Sequence, residues 1–196
     1  MTACTGCKTC MVACIDGHDL PPGLKWRRVS EYTGGKWEEL PGRTYAQNVF
    51  SYYVSISCNH CREPACVEAC PTTAMHKDEQ GIVWVDRSQC IGCQSCEWSC
   101  PYSAPQFDES IEKMTKCDFC RDRLAVGLKP LCVEACPMRA IHFGEYENIK
   151  KEFGNAEHVP PLPERSVTKP CLVLTPPHNA PPMGSNMGTI SNPEEI

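Results

Sequence analysis

The chain has 196 residues, a formal net charge of −5, a hydrophobic share of 41% and 17 cysteines. Without the cysteines the apolar share is about 32%, below the roughly 45–50% of a typical globular chain, so ligated metal is expected to supply folding free energy that apolar burial cannot. The acidic balance and the lack of any Lys/Arg run exclude a nucleic-acid surface, and no run of eighteen apolar residues offers a membrane span.

Cys4, Cys7, Cys10 and Cys14 follow Met1 almost at once, with no charged and apolar leader before them. Arg27-Arg28 is internal and is no twin-arginine signal, so any export is expected to depend on a partner. Residues 20–56 form an insert rich in aromatics and charge, with Trp26, Arg27, Arg28, Tyr32, Trp37, Tyr45, Phe50, Tyr52 and Tyr53. This pattern predicts a β-hairpin turning at Gly34-Gly35 and packed over the cysteine groups. A partner-facing surface is compatible with it, since aromatics and Arg are enriched at interfaces.

The second group is Cys58, Cys61, Cys66 and Cys70. After it, Ala74-Met75-His76-Lys77 and Ile82-Val83-Trp84-Val85 flank a polar turn at Asp78-Glu79-Gln80-Gly81 and read as two short strands. They lead into the third group, Cys90, Cys93, Cys96 and Cys100. Residues 57–105 therefore read as one continuous module of the two-cluster ferredoxin kind. Between Cys100 and Cys117, Pro101, Pro105 and a polar run leave little room for a matching hairpin. The fourth group, Cys117, Cys120, Cys132 and Cys136, is left to pair with the first, which makes residues 1–19 plus 106–144 a second, discontinuous module.

Tyr146, Ile149 and Phe153 share a helical face that Gly154 ends, which predicts a helix within 145–157. Residues 158–196 hold nine of the eighteen prolines and are expected to form an extended, unfolded tail, or an arm laid along another subunit. Group three is preceded by a strand and Asp86-Arg87-Ser88-Gln89, whereas three residues precede Cys4; a strand upstream of Met1 is expected.

The groups repeat. Cys66–Pro71 and Cys132–Pro137 are both Cys-Val-Glu-Ala-Cys-Pro, and the Cys-x-Gly-Cys-x-x-Cys of Cys4–Cys10 returns at Cys90–Cys96. The expected fold is therefore α+β, two ferredoxin-like modules related by duplication.

Three cysteines at i, i+3 and i+6 bend a loop around one face of a cube, and a fourth followed by Pro leads to the neighbouring cluster. The third group fits this run completely, and the first has Ile15 in place of the Pro. The second and fourth have longer spacers before the third cysteine, where the loop can bulge. Four [4Fe–4S] clusters are expected. Their ligands are Cys4, Cys7, Cys10 with Cys136; Cys117, Cys120, Cys132 with Cys14; Cys58, Cys61, Cys66 with Cys100; and Cys90, Cys93, Cys96 with Cys70.

Two other readings of so many cysteines fit worse. A disulfide framework belongs to small secreted domains, and these triplets are too close for separate bridges. A zinc ribbon needs two Cys-x2-Cys pairs and has no use for a third cysteine three residues on. With four thiolates per cube no iron is left open for substrate, and no nucleophile–base pair or phosphate loop stands elsewhere, so electron transfer is expected and catalysis is not. Lys8, Arg62, Lys116 and Arg121 adjoin ligands and are either tuning charges or solvated spacers. His60 reads as a spacer, Trp84 and Trp98 as packing residues, and Cys171 as a free thiol.

Several phrases outside the motifs narrow the family: Ser55-Ile56-Ser57-Cys58-Asn59-His60-Cys61, Met114-Thr115-Lys116-Cys117-Asp118, Glu31-Tyr32-Thr33-Gly34-Gly35-Lys36-Trp37-Glu38, Pro161-Leu162-Pro163 and Thr168-Lys169-Pro170. In these the chain resembles, over nearly its whole length, the iron–sulfur B subunits of anaerobic dimethyl sulfoxide reductases. Its cysteine motifs are shared more widely, with the matching subunits of formate dehydrogenase and of nitrate, tetrathionate and polysulfide reductases. The resemblance implies a complex with a molybdopterin catalytic subunit and a membrane anchor that oxidises menaquinol. Electrons would enter at groups two and three and leave through groups one and four. Attachment to the membrane would be through partners, on its periplasmic or cytoplasmic side. In the related nitrate reductase subunits a Trp replaces one third-group cysteine and gives a three-iron cluster; Cys93 keeps that position here, which implies four cubes. The rival function is a freestanding polyferredoxin, which would need neither the aromatic insert nor the tail.

Overall fold

The computed structural model describes residues 1–154, 159–182, 185 and 187–196. It is an α+β fold of short helices and small antiparallel sheets threaded between cysteine loops. Helix α1 (Thr9–Gly17) opens it, and strands β1 (Arg28–Gly34), β2 (Trp37–Leu40), β3 (Thr44–Gln47) and β4 (Phe50–Ile56) form the insert. Then come α2 (Ala65–Glu68), β5 (Met75–Lys77), β6 (Val83–Val85), α3 (Ser95–Trp98), β7 (Gln106–Asp108), β8 (Lys113–Thr115), α4 (Arg121–Ala125), α5 (Leu131–Glu134), α6 (Tyr146–Phe153) and β9 (Gly188–Ile190).

The β5–β6 hairpin forms where the alternation predicts, with Met75 opposite Val85 and Lys77 opposite Val83. Its turn is tied by the Asp78 carboxylate, which accepts the amides of Gln80 and Ile82 at 3.0 and 2.8 Å. Helix α6 also forms as expected, and Gly154 ends it with φ of 91°. The predicted stretch beyond it, 155–157, lies outside the described residues.

Three expectations fail. The insert does not turn at Gly34-Gly35: β1 runs antiparallel to β4, Arg28 opposite Ile56 and Gly34 opposite Phe50, and a second hairpin, β2–β3, continues beyond them and turns at Pro41-Gly42-Arg43. Gly42 and Arg43 take up the reversal with φ of 86° and 61°. Only the inner pair packs inward, as β4 buries Phe50, Tyr52, Val54 and Ile56 on alternate positions. Every residue of β2 and β3 is exposed.

Second, a hairpin does stand between Cys100 and Cys117. Pro105 sits just before β7, where no ladder amide is needed, and Asp108 takes the amide and hydroxyl of Ser110 at 3.0 and 2.6 Å to close the turn. This places Met114 in a buried cluster with Met75 and Val83.

Third, the described residues of the tail are folded onto the body. Strand β9 adds to β1, with Tyr32 opposite Ile190, and gives the sheet order β4-β1-β9. Val159 and Leu174 join Tyr32, Phe50, Tyr52, Val54, Ile56 and Tyr102 in the larger apolar core, and Tyr52 donates its hydroxyl to the Pro160 carbonyl at 2.6 Å. Extended, proline-rich chain carries unpaired backbone groups, and here they find partners in the body: Arg62 and Glu63 donate amides to the carbonyls of Lys169 and Thr168 at 2.9 and 3.1 Å.

Candidate metal centres

Each cysteine triplet lies on a loop that runs into a short helix. Cys10 sits in α1, Cys66 in α2, Cys96 in α3 and Cys132 in α5, and Cys70, Cys100 and Cys136 follow their helices within two residues. The first and third groups share unusual backbone: Gly6 and Gly92 have φ of 69° and 70°, and Lys8 and Gln94 have φ of 59° and 61°. A side chain at Gly92 would meet the Glu112 carbonyl at 2.6 Å, and one at Gly6 the ring of Tyr53, so both glycines are required twice over.

Helix α1 packs on α5 and α2 on α3, and these two contacts carry each trailing cysteine to the other loop's triplet. Cys58, Cys61, Cys66 and Cys100 line one small cavity. Cys70, Cys90, Cys93 and Cys96 line another. Cys4, Cys7, Cys10 and Cys136 face a third, of about 820 Å³, together with Arg27, His60 and the tail at Cys171–Thr175. Cys14 lies in the electrostatic field of Cys117, Cys132 and Cys120. In three of the quartets that the spacing suggested the four cysteines thus border a common cavity, Cys58 bordering the large one as well, and Cys14 is linked to Cys117, Cys132 and Cys120 by their mutual electrostatics.

The quartets adjoin one another in a row. Cys66 and Cys96 share one buried cluster, Cys117 feels Cys58, and Cys10 feels Cys132. Among the sixteen only Cys7 and Cys93 are exposed, and they belong to the two outermost quartets of that row.

Burial pushes the thiols of Cys66, Cys96 and Cys117 up to about 12, and that of Cys61 to about 11. At neutral pH these groups hold their protons, so a metal that takes them as thiolates must expel protons on loading. Burial works the same way on Cys70, but amides of Met75, Thr72 and Ala74 and the Thr72 hydroxyl more than offset it and hold that thiol below its ordinary range. Further donors aim at sulfur: the amides of Gly92 and Met114 at Cys90, both 3.4 Å away, and that of Ala140 at Cys136, 3.3 Å away.

All seventeen cysteines are free thiols. Among the described residues no three Cys, His, Asp or Glu side chains converge closely enough to hold one metal ion. Three of the quartets instead border cavities, the arrangement that a cube with one thiolate per corner iron calls for. Asn59, which lines the Cys58 cavity, keeps a buried side-chain amide with no hydrogen-bond partner among the described residues, a donor suited to a cluster sulfide.

The residues beside the ligands differ from one another. Lys8 pairs with Glu195, Arg62 lies over the Tyr146 ring at 5.0 Å, and Arg121 over Trp84 at 4.4 Å, all at the surface. Lys116 is 1% exposed and is no solvated spacer. His60 is more than a spacer: its Nδ1 accepts the Val83 amide at 2.9 Å while Nε2 lies 3.9 Å from Cys117 Sγ, so it bridges groups two and four. Trp84 packs as expected, against His76 at 4.7 Å. Trp98 does not pack; it is 78% exposed, because the one-turn helix α3 turns it away from Cys96. Cys171 is exposed and stands outside the quartets, its amide donated to the Asn59 carbonyl at 3.1 Å.

Sequence spacing missed His18, whose Nε2 lies 3.3 Å from Cys120 Sγ, and the role of Arg27. A signal existed in β4: its apolar positions 50, 52, 54 and 56 alternate with Ser51, Tyr53, Ser55 and then Ser57, a polar face that had to meet something. It meets Cys10, 3.4 Å from Ser55, and Arg27.

Residues 49–146 match the model of the 4Fe-4S dicluster domain. Over 193 residues the sequence is 52% identical to the B subunit of the anaerobic dimethyl sulfoxide reductase of Escherichia coli, covering 98% of this chain and 94% of that one. The protein belongs to this family of dimethyl sulfoxide reductase B subunits. The B subunit of Haemophilus influenzae is 47% identical over the same shares. The thiosulfate reductase electron transfer subunit of Salmonella typhi is 38% identical over 159 residues, 79% of this chain and 78% of that one. Among the described residues no helix is long and apolar enough to cross a membrane.

Proposed function

We propose that the chain is the electron-transfer subunit of a membrane-associated molybdopterin oxidoreductase of the dimethyl sulfoxide reductase type. It passes electrons from a quinol-oxidising anchor to a catalytic subunit and performs no reaction on substrate itself. Four [4Fe–4S] clusters do the carrying, held by Cys90, Cys93, Cys96 with Cys70; Cys58, Cys61, Cys66 with Cys100; Cys117, Cys120, Cys132 with Cys14; and Cys4, Cys7, Cys10 with Cys136. Two modules related by duplication, 57–105 and 1–19 plus 106–144, provide these sites.

The observation that carries this reading is the row of quartets with an exposed cysteine at each outer end, Cys93 and Cys7. A carrier between two partners needs an inlet and an outlet and no open iron between them. The fully exposed β2–β3 hairpin, with Trp37 67% and Tyr45 61% accessible, supports a bound partner over a free ferredoxin.

The test is purification from anaerobically grown cells. About sixteen irons per chain and co-purification of a molybdopterin subunit are expected, at four irons per cube. Cys136→Ser must disturb the cluster of Cys4, Cys7 and Cys10, and Cys14→Ser that of Cys120. A monomer with full iron and no molybdopterin partner would replace the proposal with a freestanding polyferredoxin.

A further inference from the structure

Between the four quartets lie three junctions, and they are built differently. The junction of the Cys90 and Cys58 quartets is apolar, filled by Ala74, Met75, Val83 and Met114. At the next, Lys116 lines the cavity of Cys58, Cys61, Cys66 and Cys100 while donating its ammonium to the carbonyls of Cys117 and Val83. Its charge acts on Cys66, Cys100 and Cys117 together. At the last, Arg27 lines the cavity of Cys4, Cys7, Cys10 and Cys136 and lies in the field of Cys132, Cys10 and Cys117. The hydroxyls of Ser55 and Ser57 hold its two terminal nitrogens at 3.0 and 2.9 Å, and its buried Nε has no partner among the described residues.

A cation removed from water costs several kcal/mol, and among the described residues no carboxylate is paired with either of these. Once the cysteines lining these places ligate as thiolates, their sulfurs supply the compensating negative charge. Beside the Cys90 quartet, Lys113 reaches the Cys90 carbonyl but is only partly buried, where water screens it.

We infer that Arg27 and Lys116 are fixed positive charges set at two successive cluster junctions, where they raise the reduction potentials of the clusters on either side. The inference rests on the four-cluster function proposed for the chain. Each transfer moves one electron, oxidising the donor cluster by one and reducing the receiver by one, and neither side chain gains or loses a proton. A nearby cation stabilises whichever cluster holds the extra negative charge, so the three clusters beyond the apolar junction become better acceptors than the one before it. Arg27 and Lys116 touch ligands and backbone rather than substrate and are positioning residues.

The experiment is a redox titration of the iron-loaded full chain followed by electron paramagnetic resonance, with each signal assigned through its Cys→Ser variant. Lys116→Met is expected to lower the potentials of the Cys58 and Cys117 clusters, and Arg27→Met those of the Cys117 and Cys4 clusters. At fixed poise the reduced-to-oxidised ratio should fall about tenfold or more, while the Cys93 cluster stays where it was. Lys116→Arg and Arg27→Lys should restore most of the shift. Should Arg27→Met fail to load iron, Ser57→Ala, which loosens the guanidinium and leaves its charge, must lower the same two potentials by a smaller step.

Full iron with unmoved potentials in the neutral variants overturns the inference and leaves the cluster reading intact. So does an equal shift in the charge-keeping variants, or an equal shift at the Cys93 cluster. Parent protein without cube spectra overturns the cluster reading itself, and the inference falls with it.

Discussion

His18 Nε2 lies 3.3 Å from Cys120 Sγ across 102 residues of sequence, and the imidazole packs on Trp26 with ring centroids 4.6 Å apart and planes tilted by 44°. The contact fastens the end of α1, which carries Cys10 and Cys14, to the loop of the fourth group, a closure of the kind the proposed discontinuous module needs. With Cys120 as a thiolate the imidazole must donate. A donor to sulfur stabilises the more negative, reduced state.

His18→Phe keeps the ring on Trp26 and deletes the donor. It is expected to retain iron and fold while shifting the Cys117–Cys120–Cys132 cluster to lower potential, by roughly 1 kcal/mol of lost hydrogen-bond energy. A redox titration that leaves this cluster unmoved would show the contact to be packing alone.

Iron removal should unfold the chain unevenly. Besides the quartets the cysteine loops share only the small cluster of Ala74, Met75, Val83 and Met114 and short hairpins, whereas the β4-β1-β9 sheet has a larger core in Tyr32, Phe50, Tyr52, Val54 and Ile56. Chelation is expected to melt α1 to α5 while amides of Val54 and Ile56 keep their hydrogen-exchange protection. Uniform loss of protection would mean that the sheet has no stability of its own. The low apolar share of the sequence predicts general collapse, and it averages over this one dense patch.

The cysteine groups are legible in the sequence because i, i+3, i+6 spacing is a local constraint, and Cys-Val-Glu-Ala-Cys-Pro recurs at Cys66–Pro71 and Cys132–Pro137. What surrounds the cysteines is not. Arg27 lies in an insert with no motif, and only the alternation of β4, which aims Ser55 and Ser57 inward, brings it to sulfur. The β7–β8 hairpin is hidden because Pro105 reads as a strand breaker, while its turn depends on Asp108, one acidic residue in a polar run. Proline content predicts an extended, unfolded tail, but it carries no information about the body onto which Val159, Leu174 and β9 fold.

That surface gives a third prediction. Gly188 stands opposite Gly34, and a methyl there would meet the Thr33 carbonyl at 2.7 Å and the Tyr32 ring at 2.8 Å. Gly188→Ala is expected to detach β9 at a cost of roughly 1–3 kcal/mol. Limited proteolysis should then cut between 176 and 190 faster than in the parent, with iron content unchanged. An equal cutting rate would indicate that the pairing of β9 with β1 adds nothing in solution.

His60 supplies a fourth, with a definite sign. Burial, and then the charge of Lys116, holds its pKa well below the ordinary 6.5, so the folded chain keeps the ring neutral with Nδ1 accepting from Val83. The unfolded chain protonates the same ring below about pH 6.5 and so binds more protons there. Stability from this group is therefore complete above pH 6.5 and declines as pH falls, by up to about 1.4 kcal/mol per unit. His60→Asn keeps an acceptor for the Val83 amide, tolerates the local φ of 43°, and cannot be protonated in this range. Its melting temperature should fall less steeply than the parent's between pH 7 and 5.5, both proteins being iron-loaded. Parallel acid slopes would assign the loss to the clusters and remove His60 from it.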